Sequence, residues 1–235
     1  MPVGFLIVYS EPGAQATLDE YQDWYNNEHV PLRMNHLKSF LTGARYSALD
    51  SQVPSWTAVY DVEDIATFSH ESYTRLRANR SPREADLVKR LSILDRQTSQ
   101  IVADTGESTF TTSLASKNPS KGLVTHGLGD AEESARRWFE NVLKDLGNSE
   151  GWVRSRLFKC IDSLKSGVSI PSGPEAQVVP KYFVVHEFLT PETASAFPIP
   201  MISSVSSDVS IANLRRWGLY KAYPGIAQGS LESPA

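Results

Sequence analysis

The sequence predicts an α+β protein in which two ferredoxin-like βαββαβ repeats pack their antiparallel sheets into one barrel. Three observations carry this. Between residues 3 and 103, apolar β-branched runs alternate with helix-period segments in the order strand, helix, strand, strand, helix, strand. A similar order restarts after a polar Ser/Thr-rich stretch at 104–120. Short words also recur at matching places: Trp24-Tyr25 with Trp138-Phe139, Pro54-Ser55-Trp56 with Pro180-Lys181-Tyr182, and Leu94-Asp95-Arg96 with Leu214-Arg215-Arg216. One such unit leaves a sheet face bare, and two bare faces cover each other.

Taken in order, Val3 to Ser10 is an apolar strand stopped by Glu11-Pro12-Gly13. Thr17-Leu18-Asp19-Glu20 has the spacing of a capping box and opens a helix at Leu18. Pro31 disfavours helical geometry at Val30, so the helix is expected to end there with His29 in its last turn. Phe40 to Leu49 and Ser55 to Val62 read as strands, and Asp64 to Arg77 as a helix. Ser81-Pro82-Arg83-Glu84 supplies a cap, a first-turn proline and a capping-box glutamate for a helix to about Leu91. Leu94 to Ala103 reads as a short edge strand closing the first repeat, residues 1–103.

Residues 104–120 are expected to be a linker and 121–225 the second, diverged repeat. In it, Gly122 to Gly127 is a strand, Glu132 to Leu146 an amphipathic helix, and Trp152 to Asp162 and Lys181 to Leu189 strands. Pro191 to Ser210 has helical potential broken by Pro198 and Pro200; Leu214 to Tyr220 is the closing strand, and 226–235 a flexible tail.

With 235 residues and 40% hydrophobic composition the chain is long enough to bury a pocket. The net charge of -4, with scattered Lys and Arg, argues against nucleic acid or an anionic membrane as partner. Cys160 is the single cysteine, so no intrachain disulfide forms, no zinc spacing exists and no metal is expected. The apolar start is far shorter than a membrane span and lacks a basic leader, which suggests a cytoplasmic protein. Neither a GxGxxG, a P-loop nor a Gly-x-Ser-x-Gly elbow is present, so nicotinamide, ATP and serine-hydrolase chemistry are unsupported.

The most specific stretch is Trp24-Tyr25-Asn26-Asn27-Glu28-His29-Val30-Pro31-Leu32, followed by Phe40-Leu41-Thr42-Gly43-Ala44-Arg45-Tyr46. Together with the preceding strand it resembles the EthD-like branch of the dimeric α+β barrel superfamily, over residues 1–103 and more weakly over 121–225. The resemblance implies a barrel with a ligand cavity, here in fused tandem form. Activities in that superfamily include cofactor-free monooxygenation of quinol-like aromatics, polyketide cyclisation, decarboxylation and lactone isomerisation, besides accessory roles. Haem enzymes also use the barrel, and His126 or His186 could supply a proximal ligand, with nothing in the sequence to distinguish them.

Tyr25 and His29 stack on one helix face, placing a phenol and an imidazole over one substrate. A helix C-terminus would raise the His29 pKa and burial would lower it, so its sign stays open. The second repeat keeps the aromatic pair as Trp138-Phe139 but has Val142, Leu143 and Lys144 where the first has its polar turn, which singles out Tyr25 and His29. Tyr60, His126, His186, Arg33, Trp56 and Tyr9 are the candidate substrate contacts. Arg45 is a further cation near the motif, and Glu28 reads as exposed.

The expected function is a cofactor-independent lyase or isomerase of secondary metabolism, acting on a phenolic or polyketide-like small molecule in the barrel cavity by cyclisation or decarboxylation. The alternatives are a cofactor-free aromatic monooxygenase and a non-catalytic carrier of a hydrophobic ligand. A homodimer is left open, because a fused barrel does not require one.

Overall fold

The computed structural model describes residues 2–198 and 209–231. Among these, β1 (Gly4–Glu11), β2 (Ala44–Ala48), β3 (Trp56–Val62), β4 (Ile93–Asp104), β5 (Gly122–Gly127), β6 (Trp152–Ser166), β7 (Tyr182–Phe188) and β8 (Ala212–Ala222) close into an antiparallel barrel. Their order is β1-β3-β2-β8-β5-β7-β6-β4. The two sequence repeats are visible in the pairing: β1 lies between β3 and β4 as β5 lies between β7 and β8. The seams are β2–β8 and β4–β6. β4 is therefore a long shared strand, not the short edge strand expected, because closure removes every edge.

Six helices cover the outside: α1 (Leu18–Trp24), α2 (Pro31–Met34), α3 (Glu71–Ala78), α4 (Pro82–Arg90), α5 (Glu132–Leu146) and α6 (Pro191–Ala196), among the described residues. The Thr17 and Ser81 hydroxyls accept from the amides of Glu20 and Glu84, as the capping pattern requires. Pro31 does not end the first helix. Residues Tyr25–His29 form a π turn in which the Val30 amide reaches the Tyr25 carbonyl at 3.1 Å, and Pro31 opens α2 from a helical Val30. The wide turn suits a residue that lacks an N–H and crowds the preceding turn. The helix expected over Asp64–Arg77 is instead a 3-10 turn, Ile65–Phe68, and α3, with His70 capping the latter. The helical potential at 199–208 lies outside the described residues.

Alternation along the strands separates two surfaces. Phe5, Ile7, Val59, Leu123, Phe158, Val185 and Trp217 face the lumen and pack together, with the Phe5 and Phe158 rings stacked at 4.2 Å across β4. Arg156 bridges Glu187 at 2.9 Å and Asp61 inside the same lumen. Leu114 joins this core at 0% exposure, and Ser113 and Ser120 donate to Glu187. The segment expected to be a plain linker thus helps plug the barrel. Nor are residues 226–231 a free tail: the Gln228 side-chain carbonyl accepts from the Ser116 amide and hydroxyl. Much of the lumen is packed with side chains, which moves the main candidate site to the other face of the sheet.

Candidate active site between the first helices and the sheet

The opposite faces of β1, β2 and β3 meet α1, α2 and α4 in a layer holding Tyr21, Trp24, Tyr25, Met34 and Tyr60. The π turn sets the Tyr25 and His29 rings edge to face at 5.1 Å, with the Trp24 ring 4.5 Å from His29. Gly43 seats the sheet side. A Cβ there would lie 2.9 Å from both the Tyr60 ring and the Met34 sulfur, so the backbone approaches Tyr60 as only glycine allows.

His29 Nδ1 lies 3.2 Å from Glu84 Oε1, and the Arg80 guanidinium is 3.5 Å from the same oxygen. Burial opposes ionisation of Glu84, but the His29 hydrogen bond and the charges of Arg33 and Arg80 outweigh it and hold the carboxyl below its usual range. Burial, with the Arg33 charge, pushes the His29 imidazole down to about 4. The pair at neutral pH is therefore a carboxylate and a neutral imidazole. Because the carboxylate only accepts, Nδ1 carries the proton and Nε2 keeps its lone pair. Glu84 is thus the carboxylate that holds the His29 ring, whereas Glu28, expected to be exposed, is half-buried and accepts from the Ser81 hydroxyl.

Around this dyad lie polar atoms without protein partners. Among the described residues, six of the eleven buried side-chain N and O atoms that lack a hydrogen-bond partner fall in this layer: Trp24 Nε1, Tyr25 Oη, Tyr60 Oη, Arg33 Nε, and Arg45 Nε and Nη2. Buried polar groups are normally paired, and a cluster of exceptions is a place where water or a polar ligand can be received. Arg45 sits in an aromatic cage, its guanidinium 4.1 Å from the Tyr25 ring centre and 5.4 Å from that of Trp56, with one nitrogen donating to Gln22 at 2.6 Å. Arg33 donates to the His29 carbonyl at 2.6 Å. Burial raises the Tyr25 and Tyr60 hydroxyl pKa values, so both phenols stay protonated donors. From the second repeat, Tyr223 closes the wall by donating to Asn26 at 2.5 Å. The His29 side chain is 14% exposed and is the open edge of an otherwise closed cluster.

Of the residues singled out in the sequence, Tyr25, His29, Arg33, Trp56 and Tyr60 share this layer. Tyr9 does not: it points into the lumen and packs against Trp217 at 5.7 Å. His126 and His186 occupy the corresponding layer of the second repeat, where His186 holds the position that Tyr60 holds in the first. They are bound to each other. Trp152 Nε1 donates to Ser155 Oγ at 2.9 Å, leaving the hydroxyl to donate to His186 Nδ1 at 2.6 Å. His186 Nε2–H then donates to His126 Nε2 at 3.1 Å, and His126 Nδ1–H faces the Gly127 carbonyl at 3.4 Å. Both imidazoles are held neutral, burial pushing His126 down to about 4 and burial, with the charge of His126, holding His186 well below its ordinary value. With both Nε2 atoms turned on each other, His126 Nδ1 facing a carbonyl and His186 Nδ1 on Ser155, neither imidazole has a ring nitrogen free to ligate a haem iron. Glu84 and Tyr223 escaped sequence reasoning, since each lies far along the chain from His29.

No protein-family model matches the chain, and no curated protein resembles it in sequence. Solved structures do share its fold. An anthrone oxidase-like protein superposes with a TM-score of 0.60 at 6% identity, over 100% of this chain and 97% of that one. A candidate monooxygenase from Lactobacillus acidophilus NCFM gives 0.54 at 8% identity, over 98% and 99%. One from Fusobacterium nucleatum gives 0.50 at 10% identity, over 95% and 94%. The chain has the fold of the dimeric α+β barrel proteins, completed here by two repeats of a single chain. Among the described residues no helix is long and apolar enough to cross a membrane.

Proposed function

We propose that the protein is a cofactor-independent enzyme that removes a proton from carbon of a phenolic or polyketide-like molecule held between the first helices and the sheet. The observation that carries this is the Glu84–His29 pair set among unpartnered Tyr25, Tyr60, Arg33 and Arg45 atoms. His29 Nε2 takes the proton, Glu84 offsets the imidazolium that forms, and the phenols and guanidinium groups stabilise the enolate. Arg33 and Arg45 favour an anion over its neutral parent, which acidifies the substrate and compensates for the weak basicity of an imidazole with a pKa of about 4. Loss of carbon dioxide or ring closure can follow from the same carbanion. The EthD-like pattern of residues 1–103 agrees with this small-molecule chemistry.

The names of the similar structures favour a second outcome for the carbanion. In oxygenation it reacts with dioxygen, and a methylene group plus one dioxygen becomes a carbonyl group plus one water. One oxygen atom enters the product, the other leaves as water, and the substrate supplies the electrons. Oxygen uptake with anthrone separates the two. One dioxygen consumed per ketone formed supports oxygenation; turnover of a phenolic acid without oxygen uptake supports the lyase route. In either case the acid limb of kcat/KM lies well below 6.5, set by acid unfolding or by His29 itself, because the free enzyme keeps His29 unprotonated down towards pH 4. An acid limb near 6.5 removes His29 from the base role.

A further inference from the structure

At the end of the barrel where β4 begins and β6 ends, the packed lumen opens into a cavity of about 280 Å³. It lies on the opposite face of β1 from the His29 layer: Tyr9 lines it, while Val8 and Ser10 point to the helices. Its floor comes from three lumenal neighbours across adjacent strands, Tyr9 paired with Asp95 and Asp95 paired with Lys165. Phe183 adds an apolar wall, and Val53, Pro54, Val179 and Pro180 form the rim.

The charges in this cavity are unequally satisfied. Arg215 is ion-paired at the rim, its Nε and Nη2 bonded to Asp50 and Nη2 also to the carbonyls of Gln52 and Pro54. Lys165 Nζ donates at 2.6 Å to the Val178 carbonyl and forms no ion pair with Asp95. Asp95 receives only the side-chain amide of Gln97, at 3.1 and 3.2 Å, and makes no salt bridge with any described residue. Burial accordingly raises its pKa despite the nearby lysine. A recessed carboxylate in no ion pair, beside two aromatic rings and under an apolar rim, is the complement of a cation carried on a flat apolar body. The volume suits one ring with a short arm, being at the lower end of small-molecule sites, roughly 300 Å³.

We propose that this barrel-mouth cavity is a second ligand site, which binds small arylalkylammonium compounds with the ammonium on Asp95 and the ring against Tyr9 and Phe183. It is separate from the proton-abstraction site in residues, face and charge preference. That layer presents guanidinium and phenol donors and favours anions.

Titration of the full chain with 2-phenylethylamine, its neutral analogue 2-phenylethanol and the anion 3-phenylpropionate, followed by calorimetry and backbone amide NMR, tests this. The amine is expected to bind with a Kd of about 1 mM or tighter. Its shifts should centre on residues around Tyr9, Asp95 and Phe183, and the other two probes should bind at least roughly tenfold more weakly. Asp95→Asn, which keeps shape and removes charge, should weaken the amine by roughly tenfold. Lys165→Gln, which removes a competing cation, should tighten it. Absence of amine binding, equal binding of the alcohol or acid, an unchanged affinity in the folded Asp95→Asn protein, or shifts centred on the His29 layer would each overturn the proposal.

Discussion

Acid should unfold this protein through its buried histidines before its carboxylates become protonated. His29, His126 and His186 are all held neutral, and the second repeat shows why most clearly. A proton added to His126 sets N–H against N–H at 3.1 Å in a buried site, and one added to His186 goes to Nδ1 and removes the acceptor of the Ser155 hydroxyl. For His126 the folded pKa is about 4 against 6.5 when exposed. The unfolded chain therefore binds the proton first, and the stability conferred is present above pH 6.5 and lost as pH falls towards 4. Linkage makes the loss about 2 kcal/mol between pH 7 and 5 and about 3 kcal/mol by pH 4 for this group alone. His186 adds in the same direction, and His29 less fully because its side chain keeps a solvent edge. Against a total stability of roughly 5–15 kcal/mol this is a large fraction. Urea unfolding at pH 7, 6 and 5 measures it, because unfolded carboxylates take up few protons above pH 5. Long-range ¹⁵N spectra should place the protons on His186 Nε2 and His126 Nδ1. A flat stability between pH 7 and 5, or an imidazolium in this pair at pH 5.5, would refute the reasoning.

Other expectations rest on separate contacts. Leu114→Ala should cost about 2–5 kcal/mol in unfolding free energy, since the segment between the repeats fills the lumen; a surface-like loss below about 0.5 kcal/mol would return it to the role of a linker. Arg156→Met strands Glu187 and Asp61 and should cost about 3–5 kcal/mol by the same assay, whereas neutral behaviour would mean the ion pairs contribute little. Glu84→Gln should lower kcat with little change in KM, because the amide neither fixes the His29 tautomer nor balances an imidazolium. A change in KM alone would assign Glu84 to ligand binding.

Much of the architecture was legible because the repeat is physical. Trp56 and Tyr182 open equivalent strands, so the match of Pro54-Ser55-Trp56 with Pro180-Lys181-Tyr182 holds in the registers, whereas that of Leu94-Asp95-Arg96 with Leu214-Arg215-Arg216 does not, Arg215 standing where Gln97 stands in the first repeat. The helix starts at Thr17 and Ser81 followed from a local hydroxyl-to-amide geometry that needs no tertiary knowledge. What stayed hidden depends on which face of each strand is which. In β1, residues Gly4 to Val8 are all buried, since one side packs in the lumen and the other under helices. Alternation then separates Tyr9 from Ser10 without saying which surface holds a ligand. Glu84 was hidden differently: its position fits a capping box, yet its carboxylate turns to a histidine 55 residues away. The π turn was missed because proline rules describe an α-helix, and a wider turn relaxes the clash they rest on.

The proposed function places carbon-acid chemistry at His29 in the helix–sheet layer and not in the lumen. Anaerobic exchange of solvent deuterium into the acidic C–H position of anthrone, followed by NMR, tests it without requiring oxygenation or release of product. Wild type should accelerate exchange above the buffer rate, His29→Ala should lose roughly a hundredfold or more of that acceleration, and the lumenal variant Tyr9→Phe should retain it. Exchange that survives in His29→Ala, or disappears in Tyr9→Phe, would contradict the account.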